Sequence, residues 1–497
     1  MNLFSIIKNI VSRSWPQIRR PEVLVLLIFG LIQCMGITDP PLEMAHSWRQ
    51  SFTAMVTRNY VELGMDWLHP RIDMAGEKTG IVGAEFPLFN FLSFLPSHFF
   101  GYQHWYGRCV NLLVVLWGAY NFFGLLKETL TARIAHYAMI VLLCSSWFTF
   151  SRKMMPDTFS VSLVLVGLRF GLDYWQTGRW GAYFMAIVAV ALGVLSKIPA
   201  MSLLAVVGII PFLKHSDKRK IFFIYLGVFM AVLPALWWYF FWVPYLNQTH
   251  GYHLYFPKGL LQGFKEIAPL WRLLLEKFYF TSFYSFIALA MAIIGVLALV
   301  LRKSTMVLLS LGLVALVFGV FILKTGAVFP LHTYYSVPFI PVMAIAAGIG
   351  LDFLSTQTEN IVKVRFRRNA MGYFFLLALV VEAISNQIHD HFIKPSERYK
   401  LTLETEIASV IPIEAKVVLV SSASPQELFL LHRRGWTIYP EQLLHQRDAI
   451  NYRTLGARYV VINKPVLKTF ADRDSVLLAL RGSTRFYESS HYSIYRL

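Results

Sequence analysis

The chain has 497 residues, of which 56% are hydrophobic and only 15% are charged. Soluble domains usually carry about 25% charged residues, so the composition argues against a soluble globular protein. The net charge of +18 would suit a nucleic-acid-binding protein, but the cations lie between apolar runs, where membrane topology explains them better. We therefore expect the lipid bilayer as a partner, and no nucleic acid.

Apolar runs recur along most of the chain, and eleven of them are proposed to cross a hydrocarbon core about 30 Å thick. They predict a mainly α fold, a polytopic transmembrane helical bundle. The predicted spans cover residues 22–37, 107–125, 132–150, 157–173, 181–196, 198–213, 221–240, 283–301, 305–323, 333–354 and 370–387. The apolar stretch 86–100 contains two prolines and is short for a span, so we expect a re-entrant or surface-lying segment there.

The positions of lysine and arginine test this threading, because short cytoplasmic loops are enriched in both. With a cytoplasmic N-terminus, every strong cationic cluster falls on the cytoplasmic side. The clusters comprise Lys8, Arg13, Arg19 and Arg20 before an uncleaved first span, then Lys127 and Arg133, Arg179, Lys214, Lys218, Arg219 and Lys220, Arg302 and Lys303, and Lys363, Arg365, Arg367 and Arg368. Segments 38–106 and 241–282 and the tail after about residue 388 then lie outside what we expect to be a bacterial inner membrane.

The tail is polar and alternates predicted strands with a predicted helix. Strands are predicted over 416–421, 436–439 and 458–463, a helix over 425–434 and a hairpin over 486–495. We therefore predict a transmembrane module over residues 1–390 and a small extracytoplasmic α/β domain over 391–497.

The first outer segment carries two acids, a histidine and an arginine close to the end of the first span. They are Asp39, Glu43, His46 and Arg49. Next, Trp48, Phe52, Met55, Val56 and Tyr60 share one face of a predicted helix, and Arg49, Thr53 and Thr57 the other. This pattern predicts a helix lying flat at the membrane interface. The alternative is a proline-capped turn, with Glu43 as a helix-start acid.

Further polar residues fall at predicted outer ends of spans. Arg152 and Lys153 stand beside Asp157, and two cations beside a carboxylate suit a phosphate group. Lys197 interrupts an apolar stretch at an outer turn and is another candidate phosphate ligand. The alternative for these cations is snorkelling towards the membrane surface, with Asp157 as a helix-start acid.

His332 and Tyr335 at another outer edge could bind hydroxyl groups, although both residue types are also common at membrane interfaces. Glu85 precedes the segment 86–100 and could face the same pocket. No set of His, Cys and carboxylate residues has a firm metal-ligand spacing, so the participation of a divalent cation stays open.

Polar clusters from distant parts of the chain thus converge on one predicted side of the membrane. A transporter more often places polar groups near the middle of the bilayer, on broken helices. The convergence favours an enzyme that acts at the outer surface on a lipid-borne substrate.

In their order and spacing these motifs resemble the GT-C class of membrane glycosyltransferases, in particular the bacterial branch with protein O-mannosyltransferases and the lipid A aminoarabinose transferase. The resemblance covers roughly residues 20–350. Beyond the acid-bearing first segment, it rests on Arg58, Phe86-Pro87-Leu88, Gly101, Trp105, Arg108, Asp157, Lys197 and Pro199.

The resemblance implies a GT-C bundle of about 11–13 spans that moves a sugar from a polyprenyl-phosphate donor to an extracytoplasmic acceptor, with inversion. The acceptor would be a protein, lipid A or another envelope glycan. It implies Asp39 or Glu43 as the base and Asp157 as a second acid that positions the acceptor or a cation. Phosphate contacts would come from Arg49, Arg152, Lys153 and Lys197, while His46, Glu85, His332 and Tyr335 would line the site.

Two positions depart from the family pattern. Many relatives have Asp-Glu where this chain has Arg49-Gln50, and many have Lys where it has Glu85. Two other classes of function stay open. A transporter or flippase for a lipid-linked glycan would move its substrate without consuming a donor, and a scaffold would depend on its tail rather than on the first outer segment.

Overall fold

The computed structural model describes residues 20–213, 217–252, 257–361 and 370–497. The cations predicted at Lys8, Arg13, Arg19, Lys214 and 363–368 lie outside the described residues. The chain divides into two compact units. The membrane unit comprises Met1–Ile37, Arg108–Trp238 and Tyr255–His391, and the sheet unit comprises Thr38–Gly107, Tyr239–Leu254 and Phe392–Leu497. The predicted domain boundary near residue 390 stays a prediction.

The membrane unit is built from helices. The α-helices are Pro21–Cys34, Tyr106–Thr129, Ala132–Cys144, Trp147–Phe150, Pro156–Thr177, Trp180–Ser196, Lys218–Trp237, Leu260–Ile267, Trp271–Glu276, Phe286–Leu301, Thr305–Thr325, Val328–Leu331, Ile340–Ile361 and Ala370–Gln387. Shorter-pitch 3₁₀ segments are Ile198–Phe212, Ala268–Leu270, Thr333–Phe339 and Ile388–His391, and Lys277–Thr281 is a π-helix.

Each predicted span coincides with helical structure, which confirms the mainly α bundle. Among the described residues, five helices are long and apolar enough to cross a membrane, or up to six if one bent pair is a single span. Four more apolar helices are 10–17 residues long. The length and composition of the helices therefore support fewer spans than the eleven predicted from the sequence.

Local sequence signals explain where several of these helices begin and end. Thr131 caps the helix Ala132–Cys144 by accepting a hydrogen bond from the Ile134 amide at 3.2 Å. Pro156 occupies the first turn of Pro156–Thr177, where its missing N–H costs no hydrogen bond, and Gly178 ends that helix in a left-handed conformation.

The sheet unit combines helices with a single five-stranded sheet. Its helices are Ser47–Leu63, Leu88–Phe100, Val243–His250, Leu403–Ala408, Gln426–Leu431, Gln446–Thr454, Lys464–Thr469 and Arg473–Ala479, with a π-helix at Trp238–Trp242 and 3₁₀ turns at Pro395–Thr402 and Pro440–Leu443. The strands are β1 (Lys416–Val420), β2 (Arg434–Ile438), β3 (Ala457–Asn463), β4 (Thr484–Glu488) and β5 (Tyr492–Arg496). All predicted strands and the hairpin are present.

The strand order is β2-β1-β3-β5-β4. β1 pairs in parallel with β2 and β3, whereas β5 runs antiparallel to β3 and β4. Val418 and Val460 on neighbouring strands are fully buried in the core of this sheet. At the β2 edge, the Gly435 amide donates to the carbonyl of Asp73 at 3.1 Å and the Gly76 amide donates to the carbonyl of Gly435 at 2.9 Å. Part of the segment 38–106 therefore covers a sheet edge that would otherwise expose backbone groups.

The helix Ser47–Leu63 confirms the predicted helix but not its predicted polar surface. Arg49, Thr53 and Thr57 are all buried, and on the opposite face all the apolar residues except the partly exposed Trp48 are buried as well. The Asn90 amide explains part of this burial, because it donates to the carbonyl of Thr53 at 2.7 Å and to the Thr57 hydroxyl at 3.2 Å. The polar face is therefore an interior surface of the sheet unit. The segment 86–100, expected to lie re-entrant or on the surface, forms the helix Leu88–Phe100 that covers it.

Candidate active site

An ion pair between Asp157 and Lys197 is the centre of the polar residues in the membrane unit. Lys197 Nζ lies 2.8 Å from Asp157 Oδ1, and both side chains are at least nine-tenths buried. Pro156 sets Asp157 in the first turn of its helix, and Lys197 follows the end of Trp180–Ser196 with an extended backbone. A buried ammonium needs such a partner, because an isolated charge is very costly in an apolar interior.

Aromatic rings complete the surroundings of this ammonium. Lys197 Nζ lies 5.0 Å from the ring centroid of Tyr334 and 5.9 Å from that of Tyr335, within the range of a cation–π interaction. The His332 ring lies 5.3 Å from the Tyr335 ring. The membrane unit thus brings together four predicted site residues, Asp157, Lys197, His332 and Tyr335. Tyr334 was missed, although it stands next to Tyr335 in the same motif.

Ser160 holds the turn that carries Lys197. Its hydroxyl donates to the carbonyl of Gly193 at 2.7 Å and lies 3.2 Å from the carbonyl of Lys197. A side chain added at Gly193 would meet the carbonyl of Ser160 at 2.8 Å, so the two helices approach closely at this point. The position of the ammonium is therefore fixed by backbone contacts on both sides of the turn.

Arg152 and Lys153 are fully buried and donate to backbone carbonyls. Arg152 Nη2 donates to the carbonyl of His391 at 3.1 Å, and its Nη1 donates to that of Met35. Lys153 Nζ donates to the carbonyl of Asp390 at 2.7 Å. The carbonyls at the end of Pro21–Cys34 have no partners within their own helix, and Arg152 supplies one. A role of these two cations as phosphate contacts stays a prediction.

In the sheet unit, Arg49 forms an ion pair with Glu85, and its guanidinium also lies 5.4 Å from the centroid of the Phe52 ring. The two departures from the family pattern are thus partners, a cation in the helix Ser47–Leu63 and an anion just before Leu88–Phe100.

The other residues of the first outer segment lie around a sharp turn. Ala45 and His46 both have left-handed backbone, with φ of 60° and 58°. Glu43 is 1% exposed and Asp39 is partly exposed. Non-glycine residues rarely adopt positive φ, so two in a row indicate a turn imposed by the surrounding structure.

Residues of the C-terminal α/β region hold this turn in place, a feature the sequence did not reveal. The Met44 amide donates to the carbonyl of Phe392 at 3.1 Å, and Trp48 Nε1 donates to that of Ala423 at 3.2 Å. Gln426 Nε2 lies 3.4 Å from the carbonyl of Pro41. The loop after β1 therefore positions the acid-bearing segment.

The two family arginines are also tied to the fold. Arg58 donates to Asp73 at 2.7 Å and to the carbonyl of Phe429 at 2.9 Å. Arg108 donates to the carbonyl of Ile37 at 3.1 Å. Both are buried. Arginine suits these contacts, because its guanidinium offers several hydrogen-bond donors in a fixed geometry.

His432 lies between two carboxylates near Arg58. Its Nε2 is 2.6 Å from Glu62 Oε1 and its Nδ1 is 3.0 Å from Glu404 Oε1. The hydrogen bond with Glu62 raises the pKa of His432 above its ordinary value, although burial opposes this. Burial acts to raise the pKa of Glu62, but the hydrogen bond with His432 and nearby Arg58 outweigh it and lower that pKa. No local sequence pattern marks this cluster, since Glu62 lies 370 residues before His432.

Within the described residues, no three or more His, Cys, Asp and Glu side chains are placed to hold a metal ion. The participation of a divalent cation therefore stays open, as it was in the sequence.

The region of the chain that matches a known protein family includes several residues of the candidate site. Residues 84–238 match the family described as dolichyl-phosphate-mannose-protein mannosyltransferase. This stretch contains Glu85, Asp157 and Lys197. No curated protein sequence matches the chain.

Solved structures match the fold along nearly the whole chain. ArnT from Cupriavidus metallidurans in the apo state is 15% identical, with a TM-score of 0.62 and coverage of 98% of both chains. Its structure bound to undecaprenyl phosphate gives 14% identity and a TM-score of 0.61, covering 95% of this chain and 97% of that one. The apo oligosaccharyltransferase from Archaeoglobus fulgidus is 11% identical, with a TM-score of 0.60, covering 94% of this chain and 72% of that one. The resemblance drawn from the motifs is confirmed, and this multi-span membrane protein has the fold of the GT-C glycosyltransferases.

Proposed function

We propose that the chain is an integral membrane glycosyltransferase, which takes a sugar from a polyprenyl-phosphate donor and transfers it to an extracytoplasmic acceptor. The observation that carries this proposal is the match along 98% of the chain to ArnT, which has been crystallised with undecaprenyl phosphate. The family match over residues 84–238 supports the same class of donor, a sugar linked to a lipid phosphate.

In the proposed reaction, the acceptor hydroxyl oxygen attacks the anomeric carbon while the bond from that carbon to the lipid phosphate breaks. The hydroxyl proton passes to a carboxylate, for which Asp39 and Glu43 are the candidates. The electron pair of the broken bond stays on the phosphate. Attack opposite to the departing phosphate inverts the anomeric carbon.

Lys197 is proposed to stabilise the charge that develops on the departing phosphate. Its buried position between Asp157 and two tyrosine rings supports this role, because a cation held in a low-dielectric site acts strongly on nearby charge. Asp157 then positions the ammonium, and His332 and Tyr335 offer hydrogen bonds to sugar hydroxyls.

Arg49 is proposed to contact phosphate, with Glu85 orienting its guanidinium, and His46 to line the site. We place the enzyme in a bacterial inner membrane, with its N-terminus in the cytoplasm and residues 391–497 outside. A protein, lipid A or another envelope glycan is the proposed acceptor.

The test is mass spectrometry of polyprenyl-phosphate sugars in cells with and without the gene, and in strains carrying Asp39→Asn, Glu43→Gln or Lys197→Ala. We expect one lipid-linked sugar to accumulate in the deletion strain, in the Lys197→Ala strain and in one of the two acid variants. Glu77→Gln, an exposed acid of the sheet unit, is the matched control and should leave the lipid pool normal.

An unchanged pool of lipid-linked sugars on deletion would overturn the transferase proposal. Full activity of both acid variants would overturn only the assignment of the base. Translocation of a lipid-linked glycan by the purified protein, with the donor left intact, would instead support a flippase.

A further inference from the structure

The membrane unit contains an apolar cavity of about 470 Å³, partly open to its surroundings, that the proposed reaction does not use. Seven helical segments line it, and nearly all of the lining is hydrocarbon. The 3₁₀ segment Ile198–Phe212 forms one wall, and Gly171 widens the space because it has no side chain. Cavities of this volume are typical of ligand sites.

Such a space is unsuited to being empty or wet. Protein interiors are packed about as densely as organic crystals, so a void of this volume forfeits many contacts. Water needs two to four polar partners, and an apolar lining offers too few of them. In a membrane, the available apolar filler is a lipid chain.

One end of the cavity carries a rim of cations. Arg179, Lys218 and Arg219 are exposed there, and Lys220 is partly exposed. Contacts join this rim to the lining: Lys220 Nζ donates to the carbonyl of Trp175 at 2.7 Å, and Trp175 itself lines the cavity.

Arg219 reaches the lining through an aromatic contact. Its guanidinium lies 5.9 Å from the centroid of the Phe223 ring, which packs 6.2 Å from the ring of Tyr183, a lining residue.

The acids near this rim are already engaged. Asp217 accepts hydrogen bonds from the amides of Arg219 and Lys220, at 2.8 Å and 3.4 Å, and so caps the helix Lys218–Trp237. Asp173 and Glu128 both pair with Arg169, and these three acids are outnumbered by Arg169 and the four cations of the rim. The rim is therefore net positive, as anionic headgroups require.

We propose that this cavity and its rim form a binding site for an anionic glycerophospholipid of the bilayer. One acyl chain fills the cavity, and the phosphate lies against Lys218, Arg219 and Arg179. The charge complementarity of the rim selects an anionic headgroup over a zwitterionic one, and the apolar lining accepts any acyl chain.

The cationic rim is remote from the candidate active site, although the opposite end of the cavity, lined by Leu165 and Leu203, is nearer to it. Tyr174 lines the cavity and Asp157 holds Lys197, and both lie on the helix Pro156–Thr177. Seventeen residues of α-helix separate them, or roughly 26 Å at about 1.5 Å per residue. The cation rim thus marks the face that the charge pattern predicts as cytoplasmic, opposite to the proposed chemistry.

The whole protein, purified in mild detergent, provides the test. It is incubated with phosphatidylglycerol or with phosphatidylcholine of the same acyl chains, and bound lipid is counted by native mass spectrometry. Lys218→Ala/Arg219→Ala removes the headgroup contacts, and Gly171→Leu fills the cavity, since nothing lies within 4 Å of a side chain added at Gly171.

Wild-type protein should retain one phosphatidylglycerol, at least about fivefold more than phosphatidylcholine. The double variant should lose this preference, and Gly171→Leu should retain neither lipid. Gly171→Ala, which fills little of the space, should bind as wild type does. Matched controls are Gly319→Leu, which also adds a side chain into open space, and Lys265→Ala/Arg272→Ala, which removes two exposed cations elsewhere.

If both the double variant and Gly171→Leu retained as much phosphatidylglycerol as the wild-type protein does, the proposal would be overturned. Equal binding of the two lipids by the wild-type protein would also overturn it. Two competition experiments show whether another molecule occupies the cavity. If undecaprenyl phosphate displaces phosphatidylglycerol at equal concentration, the site belongs to a polyprenyl lipid and the phospholipid assignment is wrong. If inorganic phosphate alone displaces it, the cavity plays no part in binding, which would also contradict the proposal.

Discussion

At the scale of single residues, the environment of Lys197 explains how a charge can persist in the membrane unit. Asp157 neutralises the ammonium, and the faces of Tyr334 and Tyr335 add attraction that does not depend on their hydroxyls. A cation held in this way has little need of water, which suits the proposed role of Lys197 at the phosphate, because no hydration shell has to be lost first.

Tyr334 therefore tests the cation–π contact by itself. Tyr334→Phe keeps the ring face and should retain transfer activity, whereas Tyr334→Leu removes it. We expect a loss of about 0.5–2 kcal/mol of interaction, or roughly twofold to thirtyfold in kcat/KM, for the leucine variant only. Steady-state transfer assays with a lipid-linked donor would show this, and equal losses in both variants would point to the hydroxyl instead.

His432 makes the sheet unit sensitive to pH. Because its folded pKa is raised above the ordinary value of 6.5, its contribution to stability is full below about pH 6.5 and is lost as pH rises through the raised value. Glu62 has a lowered pKa, so its contribution is present above its ordinary pKa of 4.5 and is lost as pH falls through the lowered value.

Hydrogen exchange of the segment Gln426–Leu431 should therefore speed up between pH 6 and pH 9 more than the intrinsic exchange rate does. His432→Gln should abolish this excess, while His98→Gln, a change at an exposed histidine of the same unit, should keep it. The same excess in the His432→Gln protein would show that another group titrates.

At the scale of elements, small residues set how closely the membrane helices approach. A side chain added at Gly295 would lie 1.8 Å from the carbonyl of Ala346, and one added at Gly350 would lie 2.0 Å from that of Met291. The helices Phe286–Leu301 and Ile340–Ile361 are thus in backbone contact. Small residues make such contacts possible in membranes, where packing rather than hydrophobicity drives helix association.

Gly350→Ala should therefore be poorly tolerated even though alanine favours helices. Overpacking typically costs about 1–3 kcal/mol, which predicts a lower melting temperature and a lower yield of monodisperse protein. Gly319→Ala is the matched control, because nothing lies within 4 Å of its added side chain. Size-exclusion chromatography with thermal melting would measure both, and equal stability of the two variants would contradict the contact.

At the scale of the whole molecule, the sequence predicted where the helices and strands lie along the chain. It did not predict which distant residues contact one another. Apolar runs and β-branched runs report local burial, so the helices and strands β1, β3 and β5 could be predicted from them. The contact of Gln426 with the carbonyl of Pro41 joins residues 385 positions apart, and no local pattern encodes it.

For the candidate site, too, the sequence predicted the residues but not the contacts that they make. Lys197 was predicted because it interrupts an apolar stretch, and Asp157, His332 and Tyr335 because they lie at predicted outer ends of spans. Arg152 and Lys153 gave the same signal, and the structure shows them bonded to carbonyls at the ends of helical segments. Sequence alone does not distinguish a cation that binds a ligand from one that donates hydrogen bonds to backbone carbonyls.

The loop after β1 should affect transfer through its hold on the acid-bearing segment. Trp48→Phe removes the hydrogen bond to the Ala423 carbonyl, and Gln426→Ala removes the contact with Pro41. Together they should lower kcat about tenfold, because small misplacements of a catalytic group are costly. Transfer assays on the purified protein would measure this, with Glu441→Ala, at an exposed acid of the same region, as the control. Unchanged kcat in the double variant would separate the C-terminal region from catalysis.

The sheet unit is assembled from three separate stretches of chain, and this fixes the order in which a cell can complete it. About 280 residues lie between residue 107 and residue 392, so at roughly 5–20 residues per second the ribosome needs about 15–55 s to bridge them. During that interval the helix Ser47–Leu63 has emerged without the C-terminal residues that hold it, so Arg58 lacks the Phe429 carbonyl and Trp48 lacks the Ala423 carbonyl. Newly made protein should therefore pass through a long-lived, protease-sensitive stage, and its biogenesis should depend on a chaperone that shields this helix until the last strand arrives.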